Sequence, residues 1–218
     1  MRLQRLIHTG DGLAWLRSNS PLPADHSIIT SLPDSSELPA LGFEGWRAWF
    51  SETSALICNA LAPSAAAIFF QTDVKREGTW VDKAYLVQRG AEAAGVAQLW
   101  HRVVCRAPPG MATFGRPAYA HLLCFSRGLR LEPKHSTADV IPRLGEMTWA
   151  RAMGVEACVV SCRFLQQHAG AKAIVDPFCG LGTAVAVANE LGMDGVGVEL
   201  SAKRAEKARL LKVRLETA

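Results

Sequence analysis

Short apolar runs recur along the chain at residues 3–8, 27–30, 65–71, 97–106, 119–125, 173–175 and 195–198. Each has the length of a strand, and most are bounded by Gly, Pro, Asp or Ser, so a strand-rich α/β chain is expected. Between them the spacing changes. Trp46, Trp49, Phe50, Leu56, Ile57 and Leu61 fall mostly three, four or seven positions apart, which predicts an amphipathic helix over residues 42–61. Residues 81–94, stopping at Gly95, and residues 149–168, stopping at Gly170, read as two further helices. Leu13–Leu16 predicts a short helical turn, and an Ala/Val-rich helix is expected from Thr183. Ser201 is placed to cap a last helix whose exposed side carries Lys203, Arg204, Lys207, Arg209, Lys212 and Arg214. Residues 72–80 read as a polar loop, and residues 127–144, with Pro133 and Pro142, as an irregular linker.

Composition narrows the class without naming a function. A chain of 218 residues, 49% apolar and 20% charged, suits one domain with a full core, and no repeat or low-complexity tract is visible. The net charge of +4, with a pI near 8.8, is compatible with a polyanionic partner but far from that of a packaging protein. Cysteines 58, 105, 124, 158, 162 and 179 form no CxxC pair and no His/Cys ligand set, so neither a metal site nor a disulfide framework is expected. The N-terminus lacks the apolar core of a signal peptide, and Pro63 interrupts the apolar stretch 60–70. A cytoplasmic protein outside the membrane is the expectation.

The chemistry concentrates near the C-terminal end. Ala173-Ile174-Val175-Asp176 is an apolar run ending in a carboxylate, and Pro177-Phe178-Cys179-Gly180-Leu181-Gly182-Thr183 is a turn opening a helix. Gly180 and Gly182 let the backbone approach a ligand, and Thr183 begins a helix whose free amides face it. A third glycine is missing, since position 185 is Val. Asp176 beside a pyrophosphate would repel it, whereas beside an ammonium group it attracts. Glu199 follows 23 positions later at the end of a second run, where an acid that pairs with ribose hydroxyls is expected. The two carboxylates on one βαβ unit therefore fit a cationic nucleoside, and S-adenosyl-L-methionine in particular.

On these residues the chain resembles the Rossmann-like S-adenosylmethionine-dependent methyltransferases, specifically the permuted group acting on amino groups of nucleic-acid bases. That group carries a DPFxGxGT signature near the C-terminus, here residues 176–183. The resemblance implies a class I α/β fold with a mixed seven-stranded sheet flanked by helices in circularly permuted order. It also implies a single domain over residues 1–218 without a separate target-recognition domain. Cofactor contacts are implied for Asp176, Pro177, Phe178, Gly180, Gly182, Thr183 and Glu199. Gly10-Asp11 is similar to the acidic loop on the adenine, and Trp149-Ala150-Arg151 to the segment on the methionine end.

The acceptor-handling turn is expected after the strand ending at Thr30, at Ser31-Leu32-Pro33-Asp34. It departs from the usual Ser/Asp/Asn-Pro-Pro-aromatic motif at Leu32 and at Asp34, so the stacking aromatic is replaced by a carboxylate. Ser31 and Pro33 are expected to contact the cofactor, with Ser31 and Asp34 orienting the acceptor and taking up its proton. The missing Pro-Cys at this turn argues against the covalent route to carbon-5 of pyrimidines, which needs a thiolate there. The expected reaction is methyl transfer to a nucleobase nitrogen. Structured RNA, tRNA or rRNA, is favoured as substrate because residues 127–144 are the longest candidate insertion. DNA amino-methylation, methylation of a protein amide or small molecule, and a non-catalytic cofactor-binding subunit are the alternatives. The sequence leaves the oligomeric state open, a homodimer included. Lys75, Arg76 and Lys83 could form a phosphate-binding rim or a solvated basic loop.

Overall fold

The computed structural model describes residues 3–135 and 137–215. The reading of the N-terminus as lacking an export signal begins at Met1 and Arg2, outside the described residues. Among the described residues no helix is long and apolar enough to cross a membrane.

Among the described residues ten strands form, eight of them in one sheet: β1 (Arg5–Thr9), β2 (His26–Thr30), β3 (Ala67–Gln71), β4 (Val74–Arg76), β5 (Thr79–Val81), β6 (Ala97–Cys105), β7 (Tyr119–Ser126), β8 (Val140–Ile141), β9 (Ala173–Asp176) and β10 (Asp194–Glu199). The sheet runs β1-β10-β9-β2-β3-β7-β6-β8. The first five are mutually parallel, β7 is antiparallel to both β3 and β6, and the two-residue β8 pairs parallel to β6. The seven expected strands are all present, and β8 adds a short edge from the stretch read as linker.

Six helices among the described residues cover the sheet: α1 (Gly12–Asn19), α2 (Gly42–Asn59), α3 (Lys83–Ala93), α4 (Val155–His168), α5 (Thr183–Glu190) and α6 (Ala202–Leu210). Successive strand side chains point to opposite faces, and the apolar pairs obey this. Ile28, Phe69, Leu123 and Val175 enter one core with Leu16 of α1, Trp46 and Phe50 of α2 and Leu86 of α3. Their neighbours Ile29, Ile68, Phe70, Leu122 and Ile174 enter the other core with Cys158 and Leu165 of α4 and Ala184 and Val187 of α5. Continuous apolar runs are what a sheet covered on both faces requires.

Three expectations on elements are corrected. Residues 72–80 are not a plain loop, because β4 and β5 close a hairpin through Glu77 and Gly78, both at positive φ. Helix α4 starts at Val155 rather than at residue 149, since Gly154 at φ +81° breaks the helical path and leaves residues 149–153 non-helical. The last helix ends at Leu210, so Lys212 and Arg214 lie beyond it.

Parallel strands bring their carboxyl ends to one edge. That edge collects Gly10-Asp11 after β1, Ser31 after β2, Thr72 after β3, Asp176 of β9 and Glu199 of β10. Because β6 runs in the same direction as β3, Arg106 joins them. From β9 the chain proceeds outward to β10, and from β2 it proceeds outward to β3 on the opposite side. The gap between β9 and β2 is thus the kind of switch point at which open α/β sheets hold ligands.

Candidate functional site

A cavity of about 270 Å³ opens at this edge. Asp11, Ser31, Pro33, Trp149, Asp176, Pro177, Phe178, Gly180, Thr183 and Glu199, all singled out in the sequence, line it. Gly182 does not. It stands behind the wall, at φ +81° and against Ala208 of α6, where an added Cβ would lie 3.0 Å from the Ala208 Cβ. Asp34 does not line it either, and faces an adjoining smaller cavity.

Asp176 is 1% exposed. Its Oδ1 accepts hydrogen bonds from Thr30 Oγ1 at 2.8 Å and from the Phe178 amide at 3.1 Å. Oδ2 has no hydrogen-bond partner among the described residues, on a residue that lines the cavity. Burial pushes the Asp176 carboxyl up to about 7; the two hydrogen bonds oppose that shift, and the Glu199 charge adds to it. Asp176 has no cationic side chain paired with it among the described residues.

Glu199 is also buried, and its carboxylate is more fully engaged. Oε1 accepts from the Ser201 amide and from Arg204 Nε, each at 2.8 Å. Oε2 accepts from the Gly180 amide at 3.1 Å and retains one lone pair. The expected two-handed grip on a ribose is therefore reduced to one free oxygen position. Arg204, read from sequence as part of a solvated helix face, turns inward. Arg209 of the same face donates to the Ile7 carbonyl at 2.8 Å.

Asp11 caps α1, accepting from the Ala14 amide at 2.7 Å, while also lining the cavity. Gly12 beside it permits a contact that no larger residue allows, since an added Cβ would lie 2.0 Å from the Pro177 carbonyl oxygen. At Gly180, φ is +56° and an added Cβ would lie 2.9 Å from Trp149 Cζ2. Trp149 therefore rests on the glycine turn, and Thr148 joins it there through a 2.6 Å hydroxyl contact with Thr183. Cys179 is inert as a nucleophile, because burial, then Asp176 and Glu199, push its thiol well above the usual range.

The strand-end turn is held from below. Fully buried Trp46 donates Nε1 to the Pro33 carbonyl at 3.0 Å. Lys83, 3% exposed, donates its ammonium to Asp34 Oδ1, and Glu37 accepts from the Asp34 amide at 3.1 Å. Lys83 is thus neither on a rim nor solvated, and Lys75 and Arg76 lie apart, over the rings of Trp80 and Phe43. The turn has no aromatic of its own; Phe70, at the end of β3, gives the adjoining cavity its aromatic surface.

Gly12, Leu13, Trp49, Met153, Leu200 and Arg204 also line the main cavity and carried no sequence signal for it. Three potential metal-binding side chains, Asp73, Asp82 and His121, bring their ligand atoms within 4.8 Å of one another. Asp73 is already engaged there as a hydrogen-bond hub, with His121 Nε2 at 2.9 Å, Trp80 Nε1 at 3.0 Å and the Lys83 amide at 2.8 Å.

No protein-family model matches the chain, and no curated protein matches it. Solved structures do. The candidate DNA modification methylase of Thermus thermophilus, complexed with S-adenosyl-L-methionine, aligns with TM-score 0.72 at 19% identity over 94% of this chain and 93% of that one. The cytosine-N4-specific PvuII DNA methyltransferase aligns with TM-score 0.71 at 13% identity over 98% of this chain and 88% of that one. The M1.HpyAVI complex with S-adenosylmethionine aligns with TM-score 0.59 at 12% identity over 95% and 98%. At such identities the likeness is one of fold. With the glycine-turn unit last in the chain, the fold is the Rossmann-like class I α/β fold of these methyltransferases in permuted order.

Proposed function

We propose that the protein is a methyltransferase that takes its methyl group from S-adenosyl-L-methionine and delivers it to a nucleobase nitrogen. The single observation that carries this reading is Asp176, a buried carboxylate with Oδ2 uncommitted beside a glycine turn and a second buried acid. The cofactor fits this donor set. Its ammonium group matches the uncommitted Oδ2 of Asp176, and a ribose hydroxyl matches the remaining lone pair of Glu199 Oε2. Leu13, Phe178 and Leu200 offer apolar surface for the base. The sulfonium supplies an activated methyl group when bound, so in-line displacement needs no metal.

The chain's own residues bind and orient. Ser31, Leu32, Glu37, Arg151 and Ala152 line both cavities, so the donor and acceptor spaces adjoin at the strand-end turn. Holding two reactants at attack distance supplies about 7–11 kcal/mol of a barrier in favourable systems. Lys83 occupies Asp34 Oδ1, which leaves Oδ2 to accept a hydrogen bond from the amino or ring N–H of the base. Asp34 acts in this reading mainly by orienting the acceptor. The proton of the methylated nitrogen is released to water that enters the cavity.

For the polymer, two observations point in different directions. Among the described residues the connection 127–154 holds only a short 3₁₀ turn and the two-residue β8. So small an insertion suits an accessible base in structured RNA and a single domain without a recognition module. The names of the structural neighbours favour DNA. Incubation with methyl-labelled cofactor and separate pools of RNA, DNA and protein tests the reading. Label in either nucleic acid supports it and names the polymer, whereas label in protein alone, or in none, overturns it.

A further inference from the structure

The cavity beside Asp34 carries more positive charge than its own carboxylates neutralise. Lys83, Arg106, Arg116 and Arg151 line it, against Asp34 and Glu37. Lys83 is paired with Asp34, and Arg151 with Glu37 at 2.7 Å. Those two pairs cancel. Arg106, at the end of β6, and Arg116, on the connection into β7, remain with no carboxylate partner among the described residues. Arg106 is half-buried, and burial followed by the charge of Arg116 holds its guanidinium below the usual range. Arg116 is exposed, so the two guanidiniums leave the cavity a net positive charge open to solvent, which a negatively charged ligand can offset.

We infer that Arg106 and Arg116 form a subsite for a phosphoryl group carried by the methyl acceptor. One guanidinium fork pairs with two oxygens of an oxyanion, which disfavours halide, and two forks together exceed the two oxygens of a single carboxylate but match the oxygens of a phosphoryl group. The position agrees with this chemistry. The cavity shares Ser31, Leu32, Glu37, Arg151 and Ala152 with the donor cavity, so a phosphate held here lies beside the place where a base would be presented. The inference rests on the methyltransferase reading for the identity of the acceptor, but not for the anion site itself. The phosphoryl group is either a phosphodiester of a strand or the terminal phosphate of a mononucleotide.

The test is a titration of the cofactor-free protein with methyl phosphate and, separately, with dimethyl phosphate, followed through arginine Nε–H resonances. Saturable binding at about millimolar concentration is expected for one or both, weakened at least tenfold in the Arg106→Gln/Arg116→Gln double variant. Arg106→Lys/Arg116→Lys keeps the charge but not the fork, and an intermediate loss is expected. Lys75→Gln, on the hairpin away from the cavity, should leave the affinity unchanged. Tighter binding of dimethyl phosphate assigns a strand as the source, and tighter binding of methyl phosphate assigns a mononucleotide. Binding that is absent, that survives the double Gln change within twofold, or that falls equally in Lys75→Gln overturns the subsite. Calorimetry with S-adenosylmethionine on the same samples separates the two claims: cofactor binding without phosphate binding sinks only the subsite, and the reverse sinks only the methyltransferase reading.

Discussion

At Asp176 burial and ligand binding set opposite demands. With its carboxyl pushed up to about 7, the ligand-free native state keeps a proton that the unfolded chain releases near the ordinary value of 3.8. The native state therefore binds more protons between those limits, and the stability of the empty protein falls as pH rises from about 4 to about 7. The slope approaches about 1.4 kcal/mol per pH unit. Asp176→Asn should remove this slope, so its melting temperature should exceed that of the parent increasingly up to about pH 7. The same variant should lose cofactor affinity at least about thirtyfold, the lower end of the 2–5 kcal/mol attached to breaking a buried charge pair. Trp46 gives a second residue-level expectation. Trp46→Phe keeps most of the buried ring but leaves the Pro33 carbonyl without its donor, which should cost about 1–3 kcal/mol in chemical denaturation. The place of Asp176 at a strand end on the cavity was legible in sequence because an apolar run ending in a carboxylate is a local pattern. The Asp34–Lys83 pair was not, because its members are 49 positions apart and only the packing of α3 beside the β2 turn joins them.

Among elements, the contact of α1 with the glycine turn fixes the mouth of the main cavity. Gly12→Ala would place a Cβ 2.0 Å from the Pro177 carbonyl oxygen and push the helix off the turn. A loss of about 1–3 kcal/mol in stability is expected, with a parallel weakening of cofactor binding by calorimetry. Near-normal values in both would show that α1 is free to shift. Most helices and strands were readable from periodicity, since strands buried on both faces are continuous apolar runs and α2 keeps one apolar stripe. Two boundaries were not. Residues 149–153 carry enough apolar side chains to pass for helix, and only the left-handed Gly154 reveals that they form a non-helical segment over the glycine turn. The β4–β5 hairpin was hidden because its exposed residues apart from Trp80 are mostly polar and its strands have three residues each.

The whole molecule is a sheet whose parallel strands deliver two acids, a glycine turn and the Ser31–Asp34 turn to one edge. The permuted order was legible from the position of the signature near the C-terminus. Strand neighbours were not, because pairing between residues 5–9 and 195–199 leaves no local trace. The arginine pair of the second cavity escaped for the same reason, since Arg106 and Arg116 sit in separate segments flanking a Pro/Gly-rich connection. At this scale the proton on Asp176 becomes a property of binding. A cationic ligand needs the carboxylate ionised, so affinity should fall about tenfold for each pH unit below about 7, and it should fall again above about pH 8 where an α-ammonium deprotonates. Calorimetric titration with S-adenosyl-L-methionine from about pH 5.5 to about pH 8.5 tests the central claim most directly. The account predicts one site per chain whose affinity strengthens up to about pH 7, with protons released to buffer below that value, and weakens again above about pH 8 as the ligand's α-ammonium loses its proton. Absence of binding, or an affinity that does not change across that range, would contradict it.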